Sequence, residues 1–170
     1  MAKTRKAKPQ VAILMGSTSD MEQMSRASAK LKDFGIDHEV VVTSAHRSPA
    51  QTAEYASTAK RRGIQVFIVG AGRAAHLAGA VSAHTTLPVL GVPLESGALK
   101  GMDALLATVQ MPAGVPVGTL AIGGSGAENA AILAAQILAL SDKKIATRID
   151  RMKKTMAAKV PGVVEQVVAD

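Results

Sequence analysis

Short, almost continuously apolar runs alternate with stretches of helical periodicity along this chain. Residues 11–15, 40–43, 66–69 and 89–92 form four such runs. A strand with apolar side chains on both faces is typical of a parallel sheet that helices cover on both sides. The intervening segments are long enough for helical crossovers, which are right-handed in nearly all folds. The pattern therefore predicts a three-layer, doubly wound α/β fold of the flavodoxin-like kind, with a parallel sheet in a single domain.

Glycine and proline mark the ends of the predicted helices. Gly35 and Gly63 stand where a left-handed residue would end a helix, and Pro49 suits the first turn of the helix that follows. The predicted strands are 11–15, 38–43, 66–69, 89–92 and 119–122. The predicted helices are 20–34, 49–62, 74–84, 101–109, 125–140 and 142–159.

The formal charge of +7 is concentrated at the two ends of the chain. Residues 10–141 hold nine basic and nine acidic side chains, so this part is neutral. We expect a basic, disordered tail at 1–9, an α/β catalytic domain at 10–141, and a basic C-terminal helix and tail at 142–170. The apolar-rich end, 160–170, is expected to dock on the body or on a neighbouring subunit.

The composition argues against several classes of partner. Basic ends can contact nucleic acid, but three aromatic residues are too few for stacking on bases, so we expect no nucleic-acid partner. Without cysteine, a disulfide or a thiolate metal site is excluded. No apolar stretch approaches the roughly 18 residues of a membrane span, and the N-terminus lacks the apolar core of a secretory signal. We therefore expect a cytoplasmic protein without a membrane partner.

A hydroxyl, an imidazole and a guanidinium follow the second predicted strand, in the segment Ser44–Pro49. In open α/β sheets, small ligands bind at the carboxyl ends of the strands. Arg47 suits a phosphate, and His46 suits proton transfer near neutral pH. The alternative is an exposed arginine beside a histidine that bonds only local backbone groups. The segment favours an enzyme that holds a small phosphorylated molecule and moves a proton.

Two more loops at the same predicted edge carry matching chemistry. Gly16–Asp20 precedes a helix N-terminus, where backbone amides favour an anion; Asp20 can accept hydrogen bonds from sugar hydroxyls or simply cap the helix. Gly70–Leu77 follows the third strand, and its small residues let a ligand approach the backbone beside His76. Because the three strands are expected to be neighbours, these loops should form one site.

The remaining candidate residues give weaker indications of function. Glu95–Pro116 is interpreted as a flap, an inter-subunit loop or an ordinary surface loop. His38 and His84 are interpreted as structural. No carboxylate accompanies them at metal-ligand spacing, so we expect no metal site.

Four segments, in matching order and spacing, resemble the PurE family, and most closely its class I N5-carboxyaminoimidazole ribonucleotide mutases. They are Gly16–Asp20, Ser44–Pro49, Gly70–Leu77 and Gln110–Ile122. The resemblance covers the chain from about Val11 to Leu140. It implies conversion of N5-carboxyaminoimidazole ribonucleotide to 4-carboxy-5-aminoimidazole ribonucleotide in purine biosynthesis, without metal, ATP or another cofactor. It also implies a homo-octamer whose sites are lined by more than one subunit.

The resemblance further implies roles for the matching residues. His46 would be the general acid and base, with His76 beside the substrate carboxylate. Arg47 would hold the phosphate with two serines, and Asp20 would hold the ribose hydroxyls. The implied substrate-binding residues are Gly16, Ser17, Asp20, Ser44, Ala45, Arg47, Gly72, Ala75 and Leu77.

Two positions depart from the family's usual pattern. Arg73 stands where the family usually has glycine, and Ala78 where it usually has proline. The Arg73 side chain is expected to point outward, to contact the substrate carboxylate, to face a subunit interface, or to mark a relative with changed chemistry.

Two other functions remain open from the sequence. A class II-type carboxylase of the same family would take aminoimidazole ribonucleotide and carbon dioxide directly, and the stretch Gln110–Gly114 disfavours it. A non-catalytic protein that binds a ribonucleotide is the other alternative, since fold alone does not fix function.

Overall fold

Five parallel strands form one sheet in the computed structural model, which describes residues 8–160 and 162. The strands are β1 (Val11–Met15), β2 (His38–Val42), β3 (Val66–Gly72), β4 (Val89–Leu94) and β5 (Gly118–Thr119). They lie in the order β2-β1-β3-β4-β5, and every neighbouring pair is parallel. This is the doubly wound, flavodoxin-like order, so the predicted fold class is confirmed.

Helices cover both faces of this sheet. They are α1 (Met21–Asp33), α2 (Pro49–Arg62), α3 (Leu77–Ala83), α4 (Met102–Val109), α5 (Gly124–Ala139) and α6 (Lys143–Ala157). Ile13 of β1 is buried with Met24 and Leu31 of α1 and with alanines of α5. The next residue, Leu14, points to the opposite face and is buried with Phe67 and residues of α2 and α3. The continuous apolar run of β1 is needed because both of its faces lie in a core.

β1 pairs with β2 and β3 in registers that bring three carboxyl ends level. Met15 pairs with Val42 on one side and with Gly70 on the other. From this level the chain continues from β1 toward α1 on one face, and from β3 toward α3 on the other. A crevice forms where the connections after neighbouring strands leave the sheet on opposite faces. Open α/β sheets bind ligands in this crevice.

The basic C-terminal helix packs on the body of the domain. Asp142 caps α6 because its carboxylate accepts hydrogen bonds from the backbone N–H groups of Lys144, at 2.8 Å, and Ile145, at 3.3 Å. Ile145 and Ile149 are buried in the same cluster as α1 and α5. α6 is therefore part of the folded unit.

Most predictions for the two chain ends concern residues that the structure does not describe. Positions 1–7 of the expected basic tail, and 161 and 163–170 of the expected apolar end, lie outside the described residues. Within residues 8–160 and 162, no helix combines the length and hydropathy needed to cross a membrane.

Some predicted boundaries were wrong. β5 contains only Gly118–Thr119 rather than 119–122, because this edge strand pairs with β4 alone and the chain then turns at Gly123 into α5. α3 begins at Leu77 rather than at residue 74, because the N–H of His76 donates to the carbonyl of Ala74 in a tight turn, at 2.8 Å, and the first helical bond runs from Ala80 to His76. β3 is longer than predicted because Gly72 still pairs with Leu94.

Gly126 provides a test of the packing between α5 and the loop before it. A Cβ at Gly126 would lie 1.7 Å from the carbonyl oxygen of Ala121, whereas a Cβ at Gly124 would meet only the Arg26 side chain, at 2.7 Å. We expect Gly126→Ala to lower the free energy of unfolding by about 3 kcal/mol, since backbone must move. Gly124→Ala is the control, with a change below about 1 kcal/mol, because a surface side chain can rotate away. Urea unfolding followed by circular dichroism at one protein concentration measures both, and equal effects would contradict the close approach.

Candidate functional site

A cavity of about 530 Å³ opens at the carboxyl ends of β1, β2, β3 and β4. Loops after all four strands contribute to its wall. A second cavity, of about 700 Å³, lies between α1, α5 and α6, away from the strand ends. There Lys30 is paired with Glu128 at 2.9 Å, and no histidine is present. The first cavity therefore holds the predicted chemistry.

The loop after β1 presents hydroxyls and a carboxylate to this cavity. Ser17 caps the short 3₁₀ turn Thr18–Asp20, and its Oγ accepts a hydrogen bond from the backbone N–H of Ser19 at 3.3 Å. The Ser17 N–H in turn donates to Oδ2 of Asp20 at 3.0 Å. The turn thus fixes the Asp20 carboxylate at the cavity wall. Its other oxygen, Oδ1, takes no part in the hydrogen bond with Ser17.

Partial burial disfavours the charged form of the Asp20 carboxyl group. Desolvation raises the pKa of its carboxyl, while hydrogen bonds from the backbone of Ser17 and Gly16 act in the opposite direction. The raised pKa means that the folded protein holds this charge at some cost. A ligand that donates hydrogen bonds to the carboxylate would relieve that cost.

The loop after β2 is built as a compact turn before α2. The Ser44 carbonyl accepts hydrogen bonds from the backbone N–H of Ser48, at 2.8 Å, and from its Oγ, at 3.1 Å. The N–H of Arg47 donates to Ser44 Oγ at 3.2 Å. Pro49 then begins α2. This turn leaves Ala45, His46 and Arg47 on the cavity wall.

Two side chains of this turn connect it to the loops that follow β1 and β3. Nη2 of Arg47 donates to the carbonyl oxygen of Gly16, in the β1 loop, at 3.0 Å. Nε2 of His46 lies 2.9 Å from Nδ1 of His76, beyond β3, and the two rings meet edge to face. Since two ring nitrogens share one hydrogen bond, one histidine donates and the other accepts. The pair can therefore hold one proton between its facing nitrogens.

The loop after β3 brings most, but not all, of its predicted residues to the cavity. Gly72 and Leu77 line the wall. His76 precedes α3 and reaches the site through His46. Ala75 is 1% exposed and is not part of the wall, where Ala74 lies instead. A substrate contact by Ala75 stays a prediction.

Ser96, in the loop after β4, is a wall residue that the sequence analysis missed. A Cβ at Gly72 would lie 2.4 Å from Ser96 Oγ, so the β3 and β4 loops touch only because residue 72 is glycine. Ser96 Oγ is buried and has no hydrogen-bond partner within the described part of the chain. The available signal was its position shortly after the fourth predicted strand, in the segment Glu95–Pro116 that is interpreted above as a flap, an inter-subunit loop or an ordinary surface loop.

The other histidines and acidic residues lie apart from this chemistry. His38 bonds Ser28 Oγ, at 2.8 Å, and the carbonyl of Ile36, at 2.9 Å. In the described ranges, no three histidine or acidic side chains come together as metal ligands would.

The cavity joins two kinds of chemistry at one strand edge. The β1 and β2 loops supply serine hydroxyls, a guanidinium and a carboxylate, which suit a phosphate and a sugar. His46 lies at the same wall, hydrogen-bonded to His76, and this pair supplies a proton donor and acceptor. The arrangement can hold a phosphorylated sugar derivative and transfer a proton on it.

Known proteins resemble this chain over nearly all of its described length. The profile of the AIR carboxylase family matches residues 10–159. The N5-carboxyaminoimidazole ribonucleotide mutase of Vibrio parahaemolyticus is 57% identical over 143 residues, which cover 84% of this chain and 89% of that protein. The protein of the same name from Bacillus subtilis is 54% identical over 146 residues, covering 86% of this chain and 90% of that one.

A solved structure agrees with these relatives. The crystal structure of Treponema denticola PurE superimposes with a TM-score of 0.79 at 30% sequence identity, covering 89% of this chain and 94% of that chain. The resemblance read from the four sequence segments is thereby confirmed. The chain belongs to the AIR carboxylase family, which includes PurE.

Proposed function

We propose that this protein is an N5-carboxyaminoimidazole ribonucleotide mutase that acts in cytoplasmic purine biosynthesis. It converts its substrate to 4-carboxy-5-aminoimidazole ribonucleotide. The observation that carries the proposal is the double attachment of the β2 loop, through Arg47 to the β1 loop and through His46 to His76. It places an anion-binding group and a proton-transfer pair in one cavity. The names of the relatives above half identity support the same reaction.

The phosphate end of the substrate binds at the β1 and β2 loops. Arg47 supplies the positive charge, and the hydroxyls of Ser17 and Ser44 supply short, uncharged donors. Asp20 accepts hydrogen bonds from the ribose hydroxyls, which replaces part of the solvation that burial removes from its carboxylate. The aminoimidazole ring then lies toward Gly72 and Leu77, beside the two histidines.

The reaction needs one bond broken, one bond formed and one proton relayed. The N–C bond of the carbamate breaks, carbon dioxide leaves, and the exocyclic nitrogen takes a proton from protonated His46. Ring carbon 4 then attacks the carbon dioxide held in the cavity, and His46 removes the proton from that carbon. The proton given equals the proton taken, so no other reactant is consumed.

His76 positions the base. Because its Nδ1 faces Nε2 of His46, His76 restricts the orientation of the His46 ring and leaves Nδ1 of His46 to exchange the proton with the substrate. A water-poor cavity keeps the carbon dioxide close to carbon 4 between the two steps.

A carboxylase that takes free carbon dioxide would use the same groups. The Vibrio parahaemolyticus and Bacillus subtilis relatives are named as mutases, and their names favour the intramolecular transfer.

We also propose a homo-oligomer, with the octamer implied by the family as the expected state. α4 and the turn before it expose an apolar stripe, with Leu99 62%, Met102 52%, Leu106 53% and Val109 48% accessible. The spacing of Met102, Leu106 and Val109 puts these three on one side of α4, where a second copy would bury them together with Leu99.

His46→Asn tests the assignment of the base. We expect kcat to fall by about 10²- to 10⁴-fold, the usual contribution of a general acid or base, with the affinity for 4-carboxy-5-aminoimidazole ribonucleotide little changed. Steady-state kinetics and calorimetric titration measure the two quantities. His84→Asn, which changes an exposed histidine after α3, is the matched control and keeps wild-type activity. Near-normal turnover by His46→Asn would refute the role.

Asp20→Asn tests the cost of the buried carboxylate. The pKa of Asp20 is raised in the folded state, so its ionised form lowers stability above the unfolded pKa, and that cost vanishes as the pH falls below about 3.8. Asparagine keeps an oxygen for the Ser17 N–H without the charge. We expect a higher melting temperature than wild type at pH 7, a gap that closes toward pH 3.5, and weaker ribonucleotide binding.

Thermal unfolding across this pH range, with exposed Asp37→Asn as control, measures the effect. A variant less stable than wild type at pH 7 would show instead that the carboxylate is a net stabilising cap.

Leu106→Glu tests the apolar stripe. A charge on this side chain should dissociate the oligomer into smaller species while the fold of each subunit persists, since Leu106 contacts solvent in the isolated chain. Sedimentation velocity gives the masses. Leu140→Glu, on a residue 89% exposed at the end of α5, is the control. An unchanged mass for Leu106→Glu would remove the stripe from the interface.

A further inference from the structure

Arg73 is a cavity residue that the proposed mechanism does not use. It follows the last residue of β3 and has φ +53°, a left-handed backbone that L side chains rarely adopt. Glycine would adopt this conformation without strain. The chain nevertheless places a long cationic side chain here, at the wall of the cavity.

The Arg73 side chain lies along the loop after β4. Its Nε is 3.6 Å, and one terminal nitrogen 4.0 Å, from the point where a Cβ of Gly97 would stand. Within the described residues, no carboxylate forms an ion pair with it. A guanidinium carries five N–H donors, so Arg73 brings unsatisfied donors and a positive charge to this wall.

Arg47 and Arg73 lie at opposite ends of the site along the direction in which the strands are ordered in the sheet. Arg47 is bonded to the β1 loop from the β2 side, while Arg73 lies against the β4 loop from the β3 side. The strand order β2-β1-β3-β4 therefore separates the two cations across the cavity. Ser96, whose hydroxyl has no partner among the described residues, adjoins Gly72 on the Arg73 side.

A ligand with two separated anionic groups fits this arrangement. The ribonucleotide of the proposed reaction carries a phosphate at one end and a carboxylate on or beside its ring at the other. We infer that Arg73 binds that carboxylate, and that Arg73 and Ser96 form a carboxylate subsite opposite the phosphate site of Arg47. This inference rests on the proposed function for the identity of the ligand.

The subsite acts on binding rather than on the rate of the chemical step. The negative charge leaves the carboxylate when the N–C bond breaks, because the electron pair stays on nitrogen and carbon dioxide is neutral. Arg73 therefore stabilises the carboxylated substrate and product more than the intermediate between them. An interaction of this kind lowers KM without raising kcat.

Arg73→Gly tests the subsite without endangering the fold, since glycine suits the left-handed backbone. Calorimetric titration of wild type and variant uses two probes, 4-carboxy-5-aminoimidazole ribonucleotide and 5-aminoimidazole ribonucleotide, which lacks the carboxylate. We expect the variant to lose about tenfold or more in affinity for the first probe and less than twofold for the second. KM rises by a similar factor, and kcat does not fall.

Two further variants separate charge from geometry. Arg73→Lys keeps the charge without the planar fork and should recover part of the affinity. Arg61→Gly, on the exposed surface of α2, should change neither titration.

Several outcomes would overturn the inference. Equal losses for both probes would assign Arg73 to the phosphate, and unchanged affinities would show that its side chain does not reach the ligand. A wild-type protein that binds neither probe would refute the subsite and the proposed function together. A wild-type protein that binds with the expected preference but converts no substrate would refute the proposed function alone.

Discussion

The parallel pairing of β1 with both β2 and β3 fixes the position of three of the four loops that form the site. Met15 is opposite Val42 and Gly70, so three loops leave the sheet at one level. This register depends on the buried faces of β1, because a slip of one residue would exchange the side chains that contact α1 with those that contact α2 and α3. The site is therefore determined by the core before any of its polar residues is considered.

The Ser44–Pro49 turn then converts three adjacent loops into one wall. Its backbone is closed by Ser44 and Ser48, and two of its side chains reach two other loops, at the carbonyl of Gly16 and at His76. These contacts hold Arg47, the proposed phosphate-binding residue, and His46, the proposed base, in place before substrate arrives. Organisation before binding reduces the entropy lost when the reacting groups are aligned.

Much of this could be predicted from the sequence, for identifiable reasons. α2 was predicted at 49–62 and observed as Pro49–Arg62, since proline and glycine set both ends locally. The shortened β5 depends on tertiary pairing, and the late start of α3 depends on a tight turn between Ala74 and His76, which a helical pattern of small residues does not reveal. Ser96 was missed because its place at the wall depends on contact with Gly72, 24 positions earlier in the sequence. The direction in which the Arg73 side chain points could be determined only from the structure.

In the proposed reaction, the carboxyl group moves from the exocyclic nitrogen to carbon 4 of the same bound molecule. The direct measurement uses substrate labelled with ¹³C in the carbamate, incubated with the enzyme in unlabelled bicarbonate without ATP, and followed by NMR of the product. The mutase account predicts that the label appears in the 4-carboxy group of the product. An unlabelled carboxyl group, or turnover only when bicarbonate is supplied, would contradict it.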